Sequence, residues 1–103
     1  MQLVENWTDN NRQGKATMDT RFLLMARYDA LPIIPVEQVR LDFFNHLSSA
    51  KFLRKLNERT IALPVVRIEP SQKSQKGVHI EDLASFLDAK RTESLREFKQ
   101  MFS

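Results

Sequence analysis

The chain has 103 residues, a mass of 12.1 kDa, a hydrophobic content of 42% and a formal net charge of +3. This length fits one small domain and is too short for a barrel or a doubly wound enzyme fold. The absence of cysteine excludes disulfide frameworks, thiolate zinc sites and cysteine nucleophiles. No apolar run approaches the roughly 18 residues of a membrane span, so we expect no membrane partner and a cytoplasmic location.

The N-terminal third is predicted to contain a loose extension, one helix and one strand. Residues 1–17 have little apolar periodicity, which indicates a flexible extension. The first helix is predicted to begin at Asp19 or Thr20, whose side chains can accept hydrogen bonds from first-turn amides. Its apolar face is expected to hold Phe22, Leu23, Met25 and Ala26. Prolines bracket residues 33–34, which favours a short edge strand there.

Two short helices joined by a tight turn are predicted next. Apolar residues recur with helical periodicity over residues 36–47, and Pro35 suits the first turn of that helix. Ser48 or Ser49 is predicted to cap a second helix that ends near Asn57. Its inward face is expected to hold Ala50, Leu53 and Leu56 with Phe52 alongside, and its outward face Lys51, Arg54, Lys55 and Glu58. This arrangement is typical of a helix-turn-helix.

A β-hairpin with a polar tip is predicted after the second helix. Residues 65–68 are mostly β-branched, residues 69–76 are polar, and Gly77 turns the chain into a second extended segment. The fold class that follows is mainly α with a small β-hairpin wing, a winged helix-turn-helix domain over residues 18–91. The tip residues suited to a DNA backbone or minor groove are Gln72, Lys73, Ser74, Gln75 and Lys76.

A last helix is predicted to begin at Glu81 or Asp82, where acidic side chains favour a helix N-terminus. Residues 92–103 are expected to extend this helix beyond the domain. Apolar residues recur along it at close to heptad spacing. The candidate oligomer contact consists of Leu87, Leu95, Phe98 and Phe102. The alternative is that this stripe packs within the core of one chain.

Charge is concentrated in one part of the sequence. Residues 51–76 contain seven basic and two acidic residues, a net charge of +5, whereas the rest of the chain has a net charge of −2. Such a basic block on a neutral to acidic body is expected where one surface meets phosphates. The alternative is a solvated surface on which basic residues cluster by chance.

No feature of the sequence indicates catalysis. The two histidines, His46 and His79, have no metal-ligand spacing, and two glycines are too few for a phosphate-binding glycine loop. The serines lie in loops and caps without a nucleophile elbow. We therefore expect no catalytic residues, no metal and no cofactor, and we predict that the chain is not an enzyme.

The residues expected to contact double-stranded DNA lie on the second helix and the hairpin. The outward cations of the second helix would enter the major groove, where arginine can form paired hydrogen bonds with guanine. The amides at the start of that helix would bind a phosphate, and basic residues after it would hold the backbone. The full set is Ser48, Ser49, Lys51, Arg54, Lys55, Arg59, Gln72, Lys73, Ser74, Gln75 and Lys76.

Several segments together resemble the pyocin activator (PrtN-like) family over about residues 18–91. These segments are residues 18–28, 34–39, 51–55, 63–69, 71–74 and 77–84, which include the sequences MDTRFLLMARY, KFLRK, LPVVRIE and GVHIEDLA. The resemblance implies a transcriptional activator of bacteriocin or phage-tail-like genes that binds upstream DNA in the nucleoid and contacts RNA polymerase. Because a single small module covers few base pairs, we expect a homodimer or tandem sites.

Two other functions remain open at this point. The same domain is similar to excisionase-type DNA-binding domains, which bend DNA in recombination. A protein-interaction module that binds polymerase or a host factor without DNA is the third reading.

Overall fold

A computed structural model describes residues 19–70 and 75–102. The elements in chain order are α1 (Thr20–Arg27), β1 (Ile33–Pro35), α2 (Val36–Phe43), α3 (Ser49–Asn57), β2 (Val66–Arg67), β3 (Lys76–His79) and α4 (Ile80–Phe102). These ranges are mainly helical, with one antiparallel sheet in the strand order β1-β3-β2. No helix within them is long and apolar enough to cross a membrane. The predicted N-terminal extension, residues 1–17, lies outside the described residues.

The helix α1 begins as predicted but buries a different face. The Asp19 carboxylate accepts a hydrogen bond from the Arg21 amide at 2.9 Å, which confirms the predicted cap. The buried side chains are Leu24 in the helix and Tyr28 at its C-cap, four residues apart, whereas Phe22 is 60% exposed. The predicted apolar face was therefore wrong. Apolar residues surround this short helix, and its packing against α4 decides which of them are covered.

A polar cluster ties α1 to α2 through the carboxylate of Asp42. The Tyr28 hydroxyl and the Arg27 guanidinium both donate to this carboxylate, the arginine at 3.0 Å. The hydrogen bond from Tyr28 is the main reason that the pKa of Asp42 lies below its ordinary value. Burial and the same hydrogen bond raise the pKa of Tyr28. The cluster stabilises the contact between the two helices most strongly while Asp42 is ionised and Tyr28 is protonated.

Tyr28→Phe is expected to lower the free energy of unfolding by about 1–2 kcal/mol at pH 7, because it removes a hydrogen bond to a charged acceptor. A carboxyl with a lowered pKa contributes stability above its unfolded pKa and loses it as the pH falls through the folded pKa. The difference between the two proteins should therefore shrink below about pH 4. Urea unfolding at pH 7 and pH 3 measures it, and a difference that does not change with pH would contradict this account.

The sheet places β3 between two short edge strands. The predicted edge strand is confirmed as β1, in which Ile34 pairs with Val78 of β3 and both are fully buried. Gly77 allows this close pairing, since a Cβ there would lie 2.4 Å from Ile33 Cγ2 and 3.0 Å from the Ile34 carbonyl oxygen. The predicted hairpin is confirmed by the β2–β3 pairing, but Lys76 and Gly77, which were expected in the tip and at the turn, lie in β3, with Lys76 opposite Arg67.

The helix α2 is shorter, and the turn that connects it to α3 is longer, than the sequence indicates. The helix α2 ends at Phe43 and not at residue 47, because Phe44 leaves it to stack on Phe52 at a ring distance of 4.8 Å. The Arg40 guanidinium donates to the Leu47 carbonyl oxygen at 2.8 Å and holds the turn. Hence the guanidinium of Arg40 stabilises the connection between the helices.

The last helix is continuous from Ile80 to Phe102 and begins one residue before the predicted start. The Glu81 amide donates to His79 Nδ1 at 3.0 Å at the beginning of the helix. Leu83 and Ala84 are buried in the core, whereas every residue from Asp88 to Phe102 is exposed. The second half of α4 thus projects from the rest of the described chain.

Candidate nucleic-acid interface

The outward face of α3 is set by the two residues that it buries. Phe52 is fully buried and Leu56 nearly so, and both contribute to the main hydrophobic core. On the other side, Lys51 and Arg54 are exposed, as predicted, while Lys55 is half-buried on the flank of the helix. Arg54 is therefore the cation that points most directly away from the core.

The helix α3 is held by a side-chain cap at its N-terminus and by backbone hydrogen bonds at its C-terminus. Ser48 is the N-cap, and its hydroxyl accepts from the Lys51 amide at 3.2 Å. At the other end, the Thr60 amide donates to the Lys55 carbonyl and the Arg59 amide to the Leu56 carbonyl, which is a Schellman motif. Arg59 occupies the left-handed position of this motif, with φ of 62°, where glycine is usual.

Ser49 connects α3 to the start of α2. Its hydroxyl donates to Glu37 Oε1 at 2.9 Å, and the Arg40 guanidinium donates to the same carboxylate. Hydrogen bonds from Arg40 and then Ser49 lower the pKa of Glu37. The hydroxyls of both serines predicted to face a phosphate, Ser48 and Ser49, are thus engaged in fixing the orientation of α3.

The basic side chains of α3 and the hairpin lack carboxylate partners within residues 19–70 and 75–102. Several other cations in these ranges do have them: Arg21 with Asp19 and Glu81, Arg27 with Asp42, Arg40 with Glu37, and Lys90 with Glu93. The unpaired set is Lys51, Arg54, Lys55, Arg59, Arg67 and Lys76, together with Arg91, Arg96 and Lys99 on α4. The charge of α3 and the hairpin is therefore available to an anionic partner.

A groove of about 240 Å³ separates α3 from the base of the hairpin. Ser49 and Leu53 line one side, and Gln75 and Lys76 line the other. The fold thus brings two predicted site residues of the hairpin next to the N-terminal half of α3. The remaining predicted tip residues, Gln72, Lys73 and Ser74, lie outside the described residues.

Arg59 and Arg67 line a second groove, of about 610 Å³, together with Asn57 at the end of α3. This groove runs between the end of α3 and the edge strand β2. Arg59 was predicted to contact the DNA backbone. It lines a different groove from Gln75 and Lys76.

The sequence analysis did not predict the exposure of two residues of α3. Ala50 was expected to face inward but is exposed, and Asn57 was treated only as the end of the helix although its side chain is also exposed. Both lie on the same side as Arg54, at helical spacings of four and three residues. Their helical spacing from Arg54 was the feature of the sequence that could have predicted their exposure.

The stripe predicted as an oligomer contact is partly covered by the core and partly exposed. Leu87 packs against the core, whereas Leu95 is 40% exposed, Phe98 59% and Phe102 72%. The rings of Phe98 and Phe102 lie 4.7 Å apart and form one apolar surface. Met101, which is not one of the four residues of the predicted contact, is also exposed.

A comparison with protein families matches residues 20–94 to the family described as Pyocin activator protein PrtN. The chain belongs to this family. The match covers most of the chain and confirms the resemblance noted in the sequence. Membership supports a role as a transcriptional activator of pyocin genes. Neither a curated protein nor a solved structure matches the chain.

Proposed function

We propose that the chain is a sequence-specific DNA-binding activator of bacteriocin or phage-tail-like genes, with α2 and α3 as a helix-turn-helix and the β2–β3 hairpin as its wing. The observation that supports this most is the set of cations on α3 that have no carboxylate partner within the described residues, on a helix whose N-terminal half lies next to the base of the hairpin. Unpaired surface cations bind DNA by replacing the counterions condensed on phosphates. Family membership supports the regulatory role.

In this proposal α3 lies in the major groove, which is about 12 Å wide and admits one helix. Arg54 faces the base edges, and Lys51 and Lys55 flank it. The amides at Ser48 and Ser49 and the cation of Arg59 meet phosphates. The hairpin residues Gln72, Lys73, Ser74, Gln75 and Lys76 contact the backbone or the minor groove. The protein acts without catalysis or a cofactor in the nucleoid and contacts RNA polymerase.

Binding to duplex DNA as a function of salt tests the proposal. If several phosphates are neutralised, log K should fall linearly with log salt at a slope near −0.9 for each contact. We expect several contacts and therefore a steep slope in fluorescence anisotropy with fragments from a pyocin promoter. No binding to any fragment at low salt would overturn the proposal and favour a module that binds only proteins.

A bending assay separates the two DNA-binding functions. Circularly permuted fragments of a bound promoter should migrate alike if the protein activates without strong bending. A large position-dependent retardation, together with no effect on a promoter reporter, would favour the excisionase-like function.

We further propose that the exposed part of the α4 stripe, Leu95, Phe98 and Phe102, forms a homodimer contact. Phe98→Glu combined with Phe102→Glu should reduce the mass measured by light scattering to that of a monomer, since carboxylates cannot remain unpaired in an apolar contact. Truncation after Arg91 should do the same. Phe22→Glu, at an exposed phenylalanine of α1, is the control. An unchanged mass in the double variant would exclude this contact.

A further inference from the structure

Three exposed residues of α3 form a row along its outward side. Ala50, Arg54 and Asn57 lie within a sector of about 60°, at 3.6 residues per turn, and all are exposed. The rise from Ala50 to Asn57 is about 10.5 Å, which equals about three base-pair steps of duplex DNA. The row therefore has the length needed to reach across about four neighbouring base pairs, with Arg54 about one step from Asn57 and about two steps from Ala50.

The side-chain amide of Asn57 takes no part in stabilising the described part of the fold. Within the described residues its side chain makes no hydrogen bond, and the end of α3 is held by backbone groups and not by this side chain. Its amide presents one acceptor and two donors to the outside. An asparagine of this kind can form a pair of hydrogen bonds with adenine in the major groove.

The flanking cations differ from this row in position and chemistry. Lys51 lies to one side of it, and Lys55 is half-buried farther round the helix. A lysine is a point charge suited to phosphate, whereas the fork of arginine fits guanine. Base discrimination is thus expected from the row, and sequence-independent affinity from the lysines.

We propose that Ala50, Arg54 and Asn57 read three base pairs within a span of about four. Arg54 binds guanine, Asn57 binds an adenine about one base-pair step away, and Ala50 packs against a thymine methyl group about two steps away on the other side of the guanine. This assignment rests on the proposed insertion of α3 into the major groove. It predicts a guanine beside an adenine in the preferred site.

Selection of bound duplexes from a randomised pool, followed by affinity measurement, tests the assignment. For the unchanged protein we expect a guanine next to an adenine. Asn57→Ala should lose the adenine preference by about 5- to 150-fold, the equivalent of 1–3 kcal/mol for one paired contact. The salt slope should not change, because a neutral side chain releases no counterion. Asn45→Ala, at an exposed asparagine in the turn before α3, is the matched control and should change nothing.

Asn57→Asp keeps the inference testable if Asn57→Ala affects the fold. A carboxylate accepts from the cytosine amino group, so the preference at the same position should move from adenine to cytosine. A folding defect would weaken binding without changing the preferred base. If the protein selects a defined site but neither variant alters it, the row does not read the bases, while the proposed function stands. If the unchanged protein binds no DNA, the proposed function itself fails.

Discussion

Phe52→Ala is expected to lower the free energy of unfolding by about 3–5 kcal/mol, the usual cost of removing a fully buried phenylalanine. Phe52 has no exposed surface and stacks on Phe44, which in turn lies 5.9 Å from the ring of Phe86 on α4. The substitution would thus open a cavity where α3, the end of α2 and α4 meet. Since small domains are stable by only about 5–15 kcal/mol, the substitution would remove a large share of the stability.

Urea unfolding followed by far-ultraviolet circular dichroism measures this loss. Phe22→Ala is the matched control, because it deletes the same side chain from an exposed position. The control should change the stability by less than about 1 kcal/mol. Equal effects of the two substitutions would show that Phe52 is not the centre of the core.

Arg54→Ala is expected to weaken binding to the preferred DNA site by about 1–3 kcal/mol and to relax the preference at one base pair. Adding Lys55→Ala should weaken binding further to all sequences alike, while the adenine preference assigned to Asn57 should remain. Arg54 is exposed, has no carboxylate partner within the described residues, and lies on the side of α3 opposite Phe52. The two large effects therefore come from opposite faces of one nine-residue helix.

Lys76→Ala and Lys73→Ala should differ from Arg54→Ala in leaving the sequence preference unchanged. Each is expected to weaken binding to all sequences alike and to reduce the magnitude of the salt slope by about 0.9, as the loss of one phosphate contact does. Arg91→Ala removes a cation that has no carboxylate partner among the described residues, from the projecting part of α4, and should have little effect. If Arg54→Ala and Lys55→Ala left both affinity and preference intact, α3 would not be the recognition helix.

Local signals predicted most of the elements correctly. Asp19 or Thr20, and Ser48 or Ser49, were expected as caps. Asp19 and Ser48 accept the amide hydrogen bonds that such residues accept in a first turn. The prolines around residues 33–34 indicated the edge strand β1. These predictions succeed because capping and proline restriction act within a few residues of the chain.

The sequence predicted the exposure of only some residues of the candidate interface. The cations of residues 51–76 were visible as a cluster, and Lys51 and Arg54 are exposed as expected. The outward positions of Ala50 and Asn57 were not foreseen, because the orientation of α3 depends on Phe52 and Leu56 packing against distant residues.

The sequence by itself determined where helices begin, where the chain turns and where positive charge accumulates. Only the tertiary structure decided that α1 buries Leu24 and Tyr28, that α2 ends at Phe43 and that β3 requires glycine at position 77. Each of these depends on groups far apart in the chain. Local hydrogen bonds and dihedral preferences are set by neighbouring residues, whereas burial depends on which elements meet in three dimensions.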